Sequence, residues 1–322
     1  VQIIGGSSGI GLAAARIFAS KGAQVHVLDV TPIDLEFDIF ANHGQTVDDD
    51  ANDLPALPSG SELTFHRCDV TDWVQLRDTF LAIGRVDIVV ANAGVSQDPG
   101  YFEDITDASG LLTEPAHRVV DVNIRSVLNL TKLALRQFAK QPPGGSIVIT
   151  ASATAYAPEQ SLPVYSATKH AVSEVKVHCD DNMLMRRQLV GLIRGLRPSI
   201  VKQYGATING VAPAATISKL LPGDLAAPII AAGAPVSSAY HVGLAVVFSA
   251  VATQSRMVEA YGNDDIRDVT SSGRWNGRVI MTLGDRWTEL EEPIATLRPQ
   301  WFGAYNTELT AFQQKLTDTR PR

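Results

Sequence analysis

The sequence predicts an α/β fold, a doubly wound parallel sheet in a single domain, on three observations. A complete β-α-β unit occupies the first 30 residues, short apolar runs then alternate with helix-length segments as far as residue 283, and no linker or internal repeat divides the 322 residues. Composition bounds the rest. With 45% hydrophobic and 19% charged residues the chain has ample material for one core, and a net charge of −7 gives none of the clustered basic surface that nucleic acid or an anionic bilayer requires. No apolar run approaches the roughly 20 residues needed to span a bilayer, and the chain opens into a strand without a basic leader. The expectation is a soluble, cytoplasmic protein with no nucleic-acid or membrane partner. Cys68 and Cys179 stand far apart, with no CxxC and no neighbouring His, which argues for reduced thiols and no metal site.

Taken in order, residues 1–4 form an apolar strand, Gly5 to Gly11 a glycine-rich turn, and 12–20 a helix that Lys21-Gly22 stops; 24–29 is the second strand. Residues 32–62 break the rhythm with Pro32, the acidic run Asp48-Asp49-Asp50, Pro55, Pro58 and Gly60, and read as a surface insertion. Strand three follows at 63–69, a helix at 73–83 and strand four at 86–91. A polar stretch, 96–115, precedes a long helix through Phe138, and 146–150 is strand five. A helix over about 164–192, a strand at 206–211, a helix over about 237–252 and a last strand at 278–283 complete seven strands, with a further insertion at 253–275.

The segment Gly5-Gly-Ser7-Ser8-Gly9-Ile10-Gly11 joins a strand to a helix. There, glycines let the backbone turn tightly and approach a pyrophosphate, whose charge the helix N-terminus favours. Its spacing is G-x-x-x-G-x-G, and Gly5, Ser7, Ser8, Gly9, Ile10 and Gly11 are the candidate contacts. Asp29 ends the second strand, where a carboxylate accepts hydrogen bonds from the adenosine ribose and repels a 2′-phosphate. Positions 6–8 and 30–33 hold no Arg or Lys to pair with such a phosphate, so NAD is expected over NADP.

With these residues in view the chain resembles the short-chain dehydrogenase/reductase family. The resemblance rests on the glycine loop, Cys68-Asp69-Val70, Asn92-Ala93-Gly94 and Tyr165-Ser-Ala-Thr-Lys169, in order over about residues 1–216. It implies a seven-stranded Rossmann-type sheet in the order 3-2-1-4-5-6-7, with Asp69 and Val70 near the adenine and Asn92, Ala93 and Gly94 supporting the middle of the cofactor. It also implies a catalytic tetrad, matched here by Asn123, Ser152, Tyr165 and Lys169, and a homodimer or homotetramer paired through the helices at 115–138 and 164–192. His170 and His178 on the latter helix are expected at its surface or interface. The insertions and the long tail are similar to those of a fungal subset of the family, in which secondary metabolism is a common setting.

Elementary chemistry supports the tetrad beside the resemblance. Tyr165 and Lys169 are i and i+4 on one helix and face one site. A phenol is a poor base at neutral pH, and a neighbouring ammonium and a positive nicotinamide ring would lower its pKa, making Tyr165 the general acid/base. Ser152, at the end of strand five, can hold the substrate oxygen. Lys169 also suits the nicotinamide ribose, and Asn123 a water linking that lysine to solvent.

Two departures from the family pattern are visible. Ile4 stands where members usually carry Thr, removing one bond that braces the loop, and Pro213-Ala214 replaces the usual Pro-Gly after strand six. Thr216, ahead of Ser218, is the candidate for the carboxamide, with Pro213 beside it. Residues 217–236, with Leu220, Leu221, Leu225, Ile229 and Ile230 and prolines at 222, 228 and 235, are expected to form an apolar lid, or else a satellite core. A catalytic domain is placed at 1–286 and an extension at 287–322, whose Trp287, Trp301 and Phe302 are aromatic anchors for the same subunit or a neighbour.

The sequence therefore points to an NAD(H)-dependent oxidoreductase interconverting a secondary alcohol and a ketone, acting on a largely apolar small molecule. Two alternatives stay open: a cofactor-binding scaffold or sensor with little turnover, and a dehydratase, epimerase or cyclase on the same fold.

Overall fold

Strand β1 (Gln2–Ile4) enters the glycine loop and helix α1 (Gly9–Ser20), and β2 (Val25–Asp29) returns parallel to β1 with Ile3 opposite Val27. The computed structural model describes residues 1–41, 62–170, 189–259, 264 and 266–317. Asp48 to Asp50, His178, Cys179 and the middle of the helix expected over 164–192 lie outside the described residues.

Next come β3 (Leu63–Arg67), α2 (Trp73–Ala82) and β4 (Ile88–Ala91). Asp72 starts α2, its carboxylate accepting from the backbone N–H groups of Val74 and Gln75. The long helix after residue 115 consists of α3 (Arg118–Val120), a π-helical stretch Asp121–Arg125 and α4 (Ser126–Phe138). Such a stretch carries one residue more per turn than an α-helix and is frequent at functional sites. Strand β5 (Ser146–Thr150) leads through a 3₁₀ turn, Ala153–Ala155, to α5 (Pro163–His170). Then follow α6 (Leu189–Leu196), α7 (Ile200–Tyr204), β6 (Thr207–Pro213), α8 (Gly223–Ala231) and α9 (Ala239–Val251). The insertion at 253–275 contains β7 (Thr253–Gln254), α10 (Ile266–Val269) and β8 (Gly273–Arg274), the two strands pairing with each other. The chain ends in β9 (Val279–Leu283), β10 (Arg286–Glu289), α11 (Glu291–Thr296), α12 (Arg298–Trp301) and α13 (Ala304–Leu316).

The main sheet has the order β10-β9-β6-β5-β4-β1-β2-β3. Its seven parallel strands follow the expected order, with β9 as the seventh, and the chain reverses direction of connection between β1 and β4, the switch point at which doubly wound sheets hold ligands. Helices cover both faces. Leu76, Phe80, Leu130 and Phe138 pack with Ile147 and Ile149 on one, and Ile17, Phe18, Val242 and Val246 with Val27 and Val148 on the other. Near-continuous apolar strands are what a sheet buried on both faces demands.

The expected count of seven strands needs correction. Gly284 adopts a positive φ of 59°, and the two-residue loop Gly284-Asp285 folds the chain back so that β10 pairs antiparallel with β9, Arg286 opposite Leu283. The extension placed at residue 287 thus begins inside an eighth strand, and Trp287 packs on His241 and Phe248 of α9 in its own subunit. Within the segment 217–236 one proline is not kept out of a helix interior: Pro228 lies inside α8, at the sixth helical position, where its absent N–H removes a single bond to the turn before it. Leu221, Ile229 and Ile230 pack on buried Ile217, Ala226 and Val236 as a small core of their own.

The tail is bolted to the body by Glu291, which is 1% exposed. Its carboxylate accepts two bonds from Arg194, at 2.7 and 2.8 Å, and one from the Tyr156 hydroxyl at 2.9 Å, with Arg197 Nη1 at 3.5 Å. Beside it Arg278, also buried, reaches Glu292 at 2.7 Å and lies over the Trp275 ring. Removing one member of a buried ionic cluster strands the others without water. Glu291→Ala is therefore expected to lower unfolding stability by about 3–5 kcal/mol, read from denaturant midpoints; a loss below 1 kcal/mol would show that solvent reaches the arginines.

Candidate active site

The C-terminal ends of β1, β4, β5 and β6 open into one cleft of about 900 Å³. Its floor at one end is the glycine loop. Gly5 has φ +75°, and a Cβ there would lie 2.6 Å from the Ala93 Cα, while a Cβ on Gly11 would fall on the Gly5 carbonyl and the Asn92 side chain. Both positions are thereby closed to larger residues. The brace lost with Ile4 is supplied otherwise: Asn92 Nδ2 donates to the Gly5 carbonyl at 2.7 Å, and Thr150 Oγ1 donates to Asn92 Oδ1 at 3.0 Å. Ser8 stands at the N-cap of α1 without a side-chain cap bond, leaving the first-turn N–H groups directed at the cleft.

Asp29 lines the cleft beside the loop, its carboxylate accepting from the backbone N–H of Ser7 at 3.1 Å and from the N–H and hydroxyl of Thr31. Asp69 is exposed, its carboxylate tied to Thr71, with Val70 beside it. Of the residues singled out from the sequence, Gly5, Ser8, Gly9, Ile10, Asp29, Asp69, Val70, Asn92, Ala93, Gly94, Ser152, Tyr165, Lys169, Pro213 and Thr216 line the cleft. Ser7 and Gly11 shape the loop from behind it, and Asn123 lies beneath.

Lys169 is buried, and its Nζ donates to the Thr150 carbonyl at 3.0 Å while lying 5.7 Å from the centre of the Tyr165 ring. Loss of hydration disfavours its charge and lowers its pKa to about 8. Burial likewise disfavours a phenolate at Tyr165, raising that pKa, with the Ser152 hydrogen bond acting in the opposite direction. The depressed phenol expected from the sequence is thus not produced by the protein groups alone, because desolvation of the phenolate outweighs its partners. Ser152 Oγ also accepts from the Thr154 N–H, fixing the hydroxyl at the end of β5.

Asn123 lies beneath the cleft, tied to both the exit of β4 and α5. Its Nδ2 donates to the Val95 carbonyl and to Thr168 Oγ1, and its Oδ1 accepts from the Val95 N–H at 2.9 Å. The side chain clamps the exit of β4 to α5 and spends both its donors on protein groups. Ala214 donates to the Thr282 carbonyl, extending the pairing of β6 with β9, and Thr216 Oγ1 donates to the Ala214 carbonyl.

Three residues escaped the sequence reading. Buried Gln97 accepts from the backbone N–H groups of Val164 and Tyr165 at 2.7 and 3.0 Å, anchoring the start of the helix that carries the phenol. Lys219 lines the cleft and pairs with Asp34 at 2.9 Å, and Arg118 lines it as well. Only a polar residue just past the Asn-Ala-Gly motif could have flagged Gln97; the other two come from segments distant in sequence.

The profile of the short chain dehydrogenase family matches residues 1–183. The chain belongs to the short-chain dehydrogenase/reductase family. This family member is 50% identical over 320 residues to short-chain dehydrogenase/reductase prx4 of Penicillium roqueforti, covering 99% of this chain and 85% of that one. It is 42% identical to short-chain dehydrogenase/reductase ATR7 of Stachybotrys chlorohalonatus, covering 98% and 86%. It thus groups with a fungal subset of these oxidoreductases. The fold of a 3-ketoacyl-(acyl-carrier-protein) reductase from Brucella melitensis, solved in complex with NADH, superposes on it with a TM-score of 0.58 at 19% identity, covering 88% of this chain and 96% of that one. Among the described residues of this dehydrogenase/reductase, no helix is long and apolar enough to cross a membrane.

The buried lysine of this short-chain dehydrogenase/reductase has a signature in stability. Its folded pKa is depressed, so the folded state releases a proton near pH 8 while the unfolded lysine keeps its proton until about pH 10.4. The burial penalty is full below pH 8 and relieved as pH rises, so this group makes stability increase across that window. The difference in denaturant midpoint between Lys169→Met and the parent should therefore shift steadily in the parent's favour from pH 8 to 10; a flat difference would mean that Lys169 is not buried charged.

Proposed function

We propose that the protein is an NAD(H)-dependent oxidoreductase that interconverts a secondary alcohol and a ketone, with Tyr165 as general acid/base. One observation carries this reading: Ser152, Tyr165 and Lys169 line the same cleft as the glycine loop and the Asp29 carboxylate. The residues present fit a dinucleotide. Gly5 and Gly11 keep the loop free of side chains, the N-terminus of α1 suits a pyrophosphate, and Asp29 suits a ribose bearing free hydroxyls. Asp69 and Val70 would flank the adenine, Asn92 to Gly94 the middle of the cofactor, and Thr216 with Pro213 the carboxamide.

When bound, the nicotinamide accepts the hydride in oxidation and returns it in reduction. The protein handles the proton. Ser152 Oγ holds the substrate oxygen, and Tyr165 takes the hydroxyl proton in oxidation and gives it back in reduction. The Lys169 ammonium, 5.7 Å from the centre of the phenol ring, favours phenolate at the moment of transfer. Gln97 and Asn123 hold the helix that carries Tyr165 and Lys169 in place, through the N–H groups of Val164 and Tyr165 and the hydroxyl of Thr168. Leu162, Leu220, Leu221 and Val95 give the substrate end an apolar wall, which suits a largely apolar small molecule, such as a secondary metabolite. A cytoplasmic homodimer or homotetramer paired through α4 and α5 accompanies this reading.

Tyr165→Phe should reduce turnover of NAD with a panel of secondary alcohols by about 10²–10⁴-fold, followed as NADH absorbance. Equal turnover in the variant would remove the assigned chemistry, and tight NAD binding with no turnover in the parent would favour a scaffold. Asp29→Ser removes the carboxylate that opposes a 2′-phosphate. The ratio of kcat/KM for NAD over NADP is expected to fall by at least about tenfold, equivalent to about 1.4 kcal/mol of discrimination; an unchanged ratio would mean that Asp29 does not set the choice.

A further inference from the structure

Helix α13 presents its apolar side to solvent. Thr307, Thr310, Ala311 and Gln314, spaced three and four apart, are its half-buried positions, whereas Tyr305, Leu309, Phe312 and Leu316 are 74, 40, 58 and 70% exposed. No residue of α13 is fully buried. The four apolar residues repeat at intervals of four, three and four, the d-a-d-a seam of a coiled coil and narrower than the stripe of a core-facing helix. Single exposed apolar side chains are ordinary, but an unbroken row of four marks a contact surface.

We propose that this seam binds a second copy of the chain, α13 packing antiparallel on its counterpart about a two-fold axis. Charge selects both the occupant and the direction. With Tyr305 and Phe312 at d and Leu309 and Leu316 at a, Glu308 and Lys315 both fall at g. Antiparallel pairing sets Leu309 against Phe312 of the partner subunit and Tyr305 against Leu316 of the partner subunit, with g flanking g. Glu308 then meets Lys315 of the partner subunit, the axis repeats that ion pair, and Asn306 meets Gln313 of the partner subunit at e. Parallel pairing would place Glu308 against a glutamine and lose both ion pairs. Helix α13 has no net charge, having one Glu and one Lys, so it lacks the basic face that draws an amphipathic helix to an anionic bilayer.

The seam is short, since 13 residues span about 20 Å, and four layers make an interface at the small end of specific contacts. Association through it should depend on concentration and add to any pairing through α4 and α5. The test is molar mass by light scattering and sedimentation over a concentration series. The parent is expected to double in mass as concentration rises, and Leu309→Glu/Phe312→Glu to stay at the lower mass with unchanged circular dichroism. Glu308→Lys should weaken the step about tenfold, and adding Lys315→Glu should restore it. Equal masses for the parent and the double glutamate variant at every concentration would overturn the proposal. Failure of the charge reversal to rescue would overturn the antiparallel arrangement, and so would parent protein that stays at the lower mass yet floats with phosphatidylcholine/phosphatidylglycerol vesicles. The readout is mass alone, so an absence of alcohol turnover would count against the proposed chemistry and leave this result intact.

Discussion

A buried ammonium must find an acceptor, and Lys169 finds the carbonyl of Thr150, the last residue of β5. Thr150 in turn donates its hydroxyl to Asn92, and Asn92 donates to the carbonyl of Gly5. Three hydrogen bonds therefore connect the lysine beside the phenol to the first glycine of the loop, across the ends of β5, β4 and β1. The Tyr165–Lys169 end and the glycine-loop end of the cleft are thus positioned by one relay, and the sheet order matters because it makes β1, β4 and β5 neighbours. Replacing any link leaves a buried polar group short of a partner, which costs more than the net worth of a single bond.

The parts legible from the sequence were those in which the chemistry is local. A glycine loop between strand and helix, a carboxylate at a strand end and a Tyr-x-x-x-Lys pair on one helix each declare themselves within a few residues. What stayed hidden depends on distance along the chain. Gln97 reaches the start of α5 across 67 residues, Glu291 joins Arg194 across 97, and Lys219 meets Asp34 only because the fold folds one over the other. The eighth strand was missed for a different reason: its four residues, Arg-Trp-Thr-Glu, have no apolar alternation, and its pairing follows from the Gly284-Asp285 turn. The partners of Asn123 were hidden as well, because its spacing says nothing about which backbone groups its amide will satisfy.

The tail also changes what the edge of the sheet is. A parallel sheet ending at β9 would expose a full row of N–H and C=O groups; β10 covers it, and the ionic cluster around Glu291 and Arg278 holds the cover in place. None of Glu291, Arg194, Arg197 and Arg278 lines the cleft, and the cluster serves the architecture. Its arginines and glutamates are enclosed enough that they depend on one another, so residues beyond the family core are part of the folded unit and not an appendage.

The π-helical stretch Asp121–Arg125 sets the phase of everything after it. One inserted residue lets Asn123 turn toward Val95 while Leu130, Leu133 and Phe138 still face the core. Loss of that residue would rotate α4 by about 100° about its axis, carrying those three side chains away from the sheet. The helix therefore tolerates exchange of side chains there far better than a change of length, and in any relative of this chain the spacing between Asn123 and Phe138 is the quantity to hold constant.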